Sequence, residues 1–270
     1  MQISFKSIFN VVKIMCDWKI DEIKSRYPYL YETHLHTNMS SACAKATPEE
    51  MVRACKDYGY TGIFVTEHNW GGNTCIDRSL PWNSFIREFC KSYYRAKEEG
   101  DKIGVDVFFA YEAGYRGTEF LVYGVDEEWL IQCPEIKEAS IEEQFELVHQ
   151  AGGMVVHAHP FREEPYIPEI RLYPQYVDGV EAINATHSNT RSYSHNDPAF
   201  DQRAIAYARE HHLPMTAGSD IHVTSLLGGG VAFAKKLKSA SDYKEQILHG
   251  DYMLTNGEVW YDKNGSVVWS

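Results

Sequence analysis

Tyr31-Glu32-Thr33-His34-Leu35-His36-Thr37 is the stretch from which the rest of the chain can be read. In an extended strand alternate side chains share a face, so His34 and His36 point one way and Leu35 the other. Two imidazoles on one rigid face can grip a metal ion. Alone the pattern is weak, because histidines at this spacing also occur on solvated strands. Its weight comes from its company in the chain. Further His, Glu and Asp positions recur downstream, most of them directly after an apolar run that reads as a strand.

Thr47-Pro48-Glu49-Glu50 combines an N-cap, a proline at the first helical position and acids in the first turn, and predicts a helix to about Tyr58 closed by Gly59. Thr61 to Thr66 is a short apolar strand that ends on Glu67 and His68. A helix is expected from Trp82 to about Glu99, stopped by Gly100, and then a strand from Val105 to Tyr111 ending on Glu112. Phe120 to Gly124 reads as a further strand without an obvious ligand. Ser140-Ile141-Glu142-Glu143 is a capping box that opens a helix ending near Gly152-Gly153, after which Met154-Val155-Val156 leads into His157-Ala158-His159-Pro160. A strand over 177–182 runs into a loop carrying His187, a helix is expected over 198–210, and a strand over 214–217 ends on Gly218-Ser219-Asp220-Ile221-His222. Ser241 is expected to cap a last helix to about Leu248. Asn264-Gly265 is expected to turn a β-hairpin between Val259-Trp260-Tyr261 and Val267-Val268-Trp269. Upstream, residues 1–28 read as a lead-in whose Trp18, Ile20 and Ile23 can pack on the body formed by 29–270. No repeat or linker argues for a second domain.

Composition bounds the function. A formal net charge of -12 argues against gripping long nucleic acid or lying on an anionic membrane, whereas a small anionic substrate is compatible if metal ions supply local positive charge. Cys16, Cys43, Cys55, Cys75, Cys90 and Cys133 form no C-x-x-C pair and read as reduced thiols of a cytoplasmic protein. Met1 to Met15 has some apolar, signal-like character, but Lys6 and Lys13 interrupt it and no small-residue cleavage site succeeds it.

Alternating strands and helices imply parallel strands with crossover helices, and in closed barrels of this kind functional residues gather at the C-terminal strand ends. That rule gathers His34, His36, His68, Glu112, His159, His187, Asp220 and His222 into one site. Carboxylates mixed with imidazoles suit zinc, manganese or iron. A carboxylate such as Glu112, shared by two ions, would let a water ionise near neutral pH and attack phosphorus.

His34-Leu35-His36-Thr37, Thr66-Glu67-His68-Asn69, Ala158-His159-Pro160 and Gly218-Ser219-Asp220-Ile221-His222, in this order, resemble the four motifs of the PHP (polymerase and histidinol phosphatase) family, over roughly Tyr31 to Tyr252. The resemblance implies a distorted (βα)7 TIM-like barrel with two or three divalent metal ions. It implies that His34, His36, Glu112 and Asp220 hold one ion, that Glu112, His159 and His187 hold a second, and that His68 and His222 form part of a third. Two departures stand out. Ser41 and Ala42 occupy the place where the family usually completes the third site, with Cys43 adjacent as a small buried thiol or a substitute thiolate ligand. Glu67 replaces the usual Asp and reads as an orienting group rather than a ligand.

His157 competes with His159 for the second ion, and the Ala-His-Pro context favours His159. His195 competes with His187 but reads as a solvated loop residue. Arg162 and Arg116 lie where each can offer a planar fork to phosphate, or simply be solvated. Trp70, Tyr115 and Tyr166 can line a pocket for a ring or pack internally. The expected activity is hydrolysis of a small phosphomonoester or short nucleotide by a metal-activated hydroxide, with His68 or His222 protonating the leaving oxygen. Histidinol phosphatase is one named possibility within it. The alternatives are a metal amidohydrolase, whose usual metal-bridging lysine has no counterpart at these strand ends, and a non-catalytic metal-binding module with a decayed PHP site.

Overall fold

The sheet is built from strands whose two faces are both covered, so successive residues enter different cores. Phe64 packs into one buried cluster while its neighbours Ile63 and Val65 pack into another, and Leu121 and its neighbours Phe120 and Val122 divide in the same way. Each such apolar side chain contributes roughly 1.5–3 kcal/mol by leaving water. The computed structural model describes residues 18–270. The expectations for Met1 to Met15 and for Cys16 lie outside them.

The strands are β1 (Tyr29–Glu32), β2 (Gly62–His68), β3 (Asp106–Tyr115), β4 (Thr118–Tyr123), β5 (Met154–Ala158), β6 (Gly179–Asn184), β7 (Met215–Gly218), β8 (Gly229–Phe233), β9 (Tyr252–Asn256), β10 (Trp260–Asp262) and β11 (Val267–Trp269). They form one sheet in the order β11-β10-β9-β8-β1-β2-β3-β4-β5-β6-β7. β1, β2 and β3 pair in parallel, as do β5, β6 and β7, but β4 runs antiparallel to both β3 and β5. The sheet curls until the far end of β7 meets that of β1. Leu35 bridges Ile221 in parallel, and Thr33 Oγ1 donates to the Ala217 carbonyl at 2.6 Å. Gly229 allows this closure, since a Cβ there would sit 2.2 Å from the Gly218 carbonyl oxygen.

The result is a single mixed α/β fold around a curled half-barrel sheet, and the regular ring of seven parallel strands is corrected at two places. Arg116 and Gly117, with φ of 50° and 86°, make a two-residue turn that folds β4 straight back along β3. On the other side of β1, strands β8 to β11 extend the sheet with antiparallel pairs. The expected hairpin is β10 and β11; the sequence pattern does not announce β8 and β9.

The helix caps at Thr47 and Ser140 form as complete capping boxes, and Gly59 closes the first of these helices at φ 107°. Gly100 does not stop its helix, which runs over Trp82–Ile103 and ends at Gly104 with φ 76°. A Cβ at Gly100 would lie 2.6 Å from both the Val105 carbonyl and Val107 Cγ2, so this glycine lets helix and strand approach closely. The last helix, Ala240–His249, is capped by Ser239 rather than Ser241. Of the lead-in, residues 18–26 are helical; Ile23 and Ile20 pack with Ala232, Met253 and Trp260, whereas Trp18 is exposed. No described helix is long and apolar enough to cross a membrane.

Candidate metal centre

Beyond the last paired residue of β1 the chain bends at His34 and pairs again at Leu35, which bridges Ile221, before passing through His36. Leu35 enters the apolar core and both histidines turn the other way, fully buried. Each is held through its Nδ1. His34 Nδ1 lies 2.9 Å from Glu181 Oε1, and His36 Nδ1 lies 3.3 Å from Ser41 Oγ, which itself donates to Glu67. The Nε2 atoms are thereby left to face carboxylates. His34 Nε2 is 3.2 Å from Glu112 Oε1 and 3.5 Å from Asp220 Oδ1, and His36 Nε2 is 3.5 Å from Glu112 Oε2 and 3.4 Å from Asp220 Oδ1. His68 Nδ1 approaches Glu112 Oε2 to 2.7 Å.

None of these close pairs is aligned as a hydrogen bond. His34 Nε2, His36 Nε2, His68 Nδ1 and Glu112 Oε2 are all buried and all without a hydrogen-bond partner. Leaving several buried polar atoms unsatisfied costs about 1–3 kcal/mol each. A cation among them satisfies every one at once, and the donor set of imidazole and carboxylate suits zinc, manganese or iron. The residues present therefore fit divalent metal.

Electrostatics agree. Burial opposes charge on Glu112, but His34 and His68 outweigh it and hold the carboxyl well below its ordinary value. Burial likewise opposes charge on Asp220, and Arg162 with His34 outweighs it. His34 is driven well above its ordinary value despite burial, by Glu181, Asp220 and Glu112. The surplus of carboxylate draws in positive charge, and a proton on His34 is the simplest form of it.

β4 adds a residue that the strand-end rule does not find. Because the Arg116-Gly117 turn reverses the chain, the first residues of β4 stand beside the last residues of β3, and Glu119 arrives at the site. Its Oε2 is 3.6 Å from His159 Nε2, and its carboxylate groups with the Glu112 carboxylate and the His68 imidazole as a possible set of ligands. Burial, followed by the charge of Glu112, pushes Glu119 up to about 7. Arg-Gly between two apolar runs is the signal that could have found it.

His159 Nε2 lies 3.1 Å from Glu112 Oε1. His159 has φ 28°, which breaks the strand alternation, and His157 goes instead into aromatic packing with its ring 4.8 Å from Phe120. Burial, then His159, pushes His157 down to about 3. His187 sits on the short helix Ala185–Ser188 rather than a loop, and the structure does not bring it into the cluster. Its Nε2 accepts from Arg162 Nε at 3.0 Å and its Nδ1 lies 2.8 Å from Asp201, so both ring nitrogens are engaged. Arg162 also donates to Asp220 Oδ2 at 2.6 Å and to Thr186 at 3.2 Å. Glu181 is close to His34 and His159, yet its oxygens already receive His34, the His159 backbone N–H and Asn184. It orients ligands. Glu67 is likewise spent on Thr37 and Ser41.

Cys43 and His222 lie on the other flank. His68 Nε2 is 3.2 Å from Cys43 Sγ, and His222 Nδ1 donates to the Asp220 carbonyl at 2.9 Å. Burial alone would raise the Cys43 thiol, but hydrogen bonds with His222 and His68 outweigh it and bring it down to about 6.

The cluster opens through His68, Glu112, Glu119, His159 and Asp220 into a cleft of about 510 Å³, where Arg116, Tyr115, Tyr166 and His195 also form walls. His195 is therefore part of the cleft, bonded to Glu164. Trp70 is not; it packs on Trp82 and Tyr111. Among the described residues, four of the five non-glycine residues with positive φ line this cleft: Arg116, His159, His195 and Asp220. Strain of this kind persists where the surroundings over-determine a conformation, and it gathers at functional sites.

The PHP domain family matches residues 32–249. The chain belongs to the PHP domain family. Among solved structures, this PHP chain is similar to a two-domain protein from Bacteroides vulgatus containing a predicted PHP-like metal-dependent phosphoesterase. The two are 16% identical, with a TM-score of 0.63 and coverage of 86% of this chain and 66% of that one. This chain thus spans just under two thirds of that protein, and at this identity the likeness shows the fold. A protein from Bifidobacterium adolescentis named as a candidate metal-dependent phosphoesterase is 16% identical with a TM-score of 0.49, covering 81% of this chain and 95% of that one. An amidohydrolase from Chromobacterium violaceum is 15% identical with a TM-score of 0.48, covering 71% and 87%. No curated relative matches the chain.

Proposed function

We propose that the protein is a metal-dependent phosphoesterase that hydrolyses a small phosphomonoester or short nucleotide with metal-activated water. The observation that supports this most is the set of buried, unpartnered donors on His34, His36, His68 and Glu112, in a chain of the PHP family. His34, His36, Asp220 and Glu112 would hold a first ion, and Glu112, Glu119 and His159 a second. Bound ions supply acidity to water and Lewis-acid stabilisation to phosphoryl oxygens.

The remaining groups belong to the chain itself. Arg162, fixed by Asp220, Thr186 and His187, presents a buried guanidinium at the cleft wall, a planar partner for phosphate. We assign His187, with Asp201 behind it, to holding that guanidinium. Arg116 adds a second cation at the rim. Tyr115 and Tyr166 offer aromatic walls to the organic part of the substrate. His68 and His222 line the same cleft and are the groups available to act on the leaving oxygen, as proton donors or through a third cation that they hold. The net charge of -12 supports a small substrate over a long nucleic acid or a membrane surface.

The test is turnover of p-nitrophenyl phosphate by chelator-treated protein before and after adding manganese or zinc. Metal-restored turnover that vanishes in Asp220→Asn supports the assignment; hydrolysis of an amide or lactam without any phosphatase activity contradicts it.

A further inference from the structure

Glu164 and His195 come from two different loops that meet at the cleft. Glu164 lies beyond β5 and His195 beyond the short helix Ala185–Ser188. Glu164 Oε1 stands 2.5 Å from His195 Nδ1, and since a carboxylate only accepts, this nitrogen carries the hydrogen. Nε2 has no hydrogen-bond partner among the described residues, and the ring lines the cleft together with Arg162 and Tyr166. The loop itself is anchored on both sides of the ring. The Thr190 N–H donates to Glu258 at 2.9 Å, Asn189 Nδ2 to the Asn256 carbonyl at 2.8 Å, and Asn196 Nδ2 to the Asn189 carbonyl at 2.9 Å. Between these anchors His195 is held at φ 54°, a conformation uncommon for any residue with a side chain. Unlike His68 and His222, His195 stands outside every group of potential metal ligands among the described residues, so no ion competes for its Nε2.

We propose that His195, oriented by Glu164, donates the proton to the leaving oxygen of the phosphate ester. The inference rests on the metal-dependent phosphoesterase reading, and it gives the leaving-group proton to a residue that holds no ion. As the bond from phosphorus to the departing oxygen breaks, that oxygen keeps the bonding pair and takes the Nε2 proton of the imidazolium. Water, losing a proton to solvent, supplies the oxygen of the new bond to phosphorus, and the neutral ring regains its proton from solvent. Glu164 is the positioning residue: it turns Nε2 toward the cleft and stabilises the charged ring. Burial, then the charge of Arg162, holds His195 below its ordinary value against the pull of Glu164 and Asp220. A phosphate dianion received by Arg162 offsets that opposition, so binding of the substrate itself favours the protonated donor.

The experiment compares kcat and KM of the metal-loaded full chain on phenyl phosphate and p-nitrophenyl phosphate, two similar esters whose departing phenols differ in acidity. His195→Asn should lose about 100-fold in kcat on phenyl phosphate, whose weakly acidic phenol needs the proton, and under about 10-fold on p-nitrophenyl phosphate, whose phenol departs readily as its anion. Glu164→Gln should show the same inequality with smaller losses, because its amide oxygen can still hold the ring. In unmutated protein the rate on phenyl phosphate should decline at alkaline pH before the rate on p-nitrophenyl phosphate does. That comparison stands even if a variant fails to fold. Losses of equal size on the two esters, no loss in His195→Asn, or alkaline declines that coincide overturn the proposal while leaving the phosphoesterase reading intact. Absence of turnover of both esters by unmutated protein under any metal would defeat that reading and this proposal with it.

Discussion

His34 Nε2 and Glu112 Oε1 stand 3.2 Å apart, buried and out of hydrogen-bond alignment, on segments separated in the sheet by β2. Two side chains brought so close from different strands and yet left unbonded are a frame for something between them. Asp220, which comes from beyond β7 and reaches the same atoms, closes that frame. Asp220→Asn should abolish metal-dependent turnover and lower bound metal while far-ultraviolet circular dichroism stays unchanged. Retained metal and turnover in the purified variant would remove Asp220 from the centre.

Glu181 acts through His34, whose Nδ1 it holds at 2.9 Å. Loss of such an orienting carboxylate weakens metal binding by about 10–100-fold, and that is the expected effect of Glu181→Gln in a competition titration against a chelator. An unchanged affinity would show that His34 is positioned by packing alone.

Glu119 marks where the sequence stops being legible. The motif histidines, Glu112 and Asp220 can be placed because each comes after an apolar run, and the rule that parallel strands deliver function at their C-terminal ends gathers them without further knowledge. Glu119 precedes its apolar run, so the same rule discards it; only the reversal of β4 at Arg116-Gly117 brings it in. The glycines that open β8 likewise hide a strand, because Gly229 serves the close contact with Gly218 and Gly230 that with the Tyr31 carbonyl rather than any strand preference. His187 shows the opposite case, a position legible as near the site whose nitrogens are claimed by Arg162 and Asp201. Such a pairing is a fact of tertiary packing that no local pattern encodes. Glu119→Ala should remove metal from the second position and depress turnover, whereas Glu119→His should recover part of both. Elemental analysis of the two variants decides it.

Arg162 and His187 separate through steady-state kinetics. His187→Asn should leave metal content unchanged and raise KM for a phosphate ester, because the guanidinium loses its anchor. Loss of an equivalent of metal would return His187 to the ligands.

Acid should loosen the metal-free fold through His157. Its folded value of about 3 lies below the ordinary one, so the neutral ring is the form the fold accepts. Its contribution is full at pH above its ordinary titration and is lost as pH falls from about 6.5 toward 3. Chemical denaturation at stepped pH should show this slope in wild type and a shallower one in His157→Leu. Equal slopes would assign the acid limb to other groups.

The central claim is that this chain holds catalytic metal ions. It is tested most directly by metal content per chain in protein purified without chelator, measured beside p-nitrophenyl phosphate turnover with and without added manganese or zinc. Two or more ions per chain, with turnover that depends on them, is the predicted result. One ion or none, with no turnover under any metal, would contradict it and make the chain a binding module on a PHP fold.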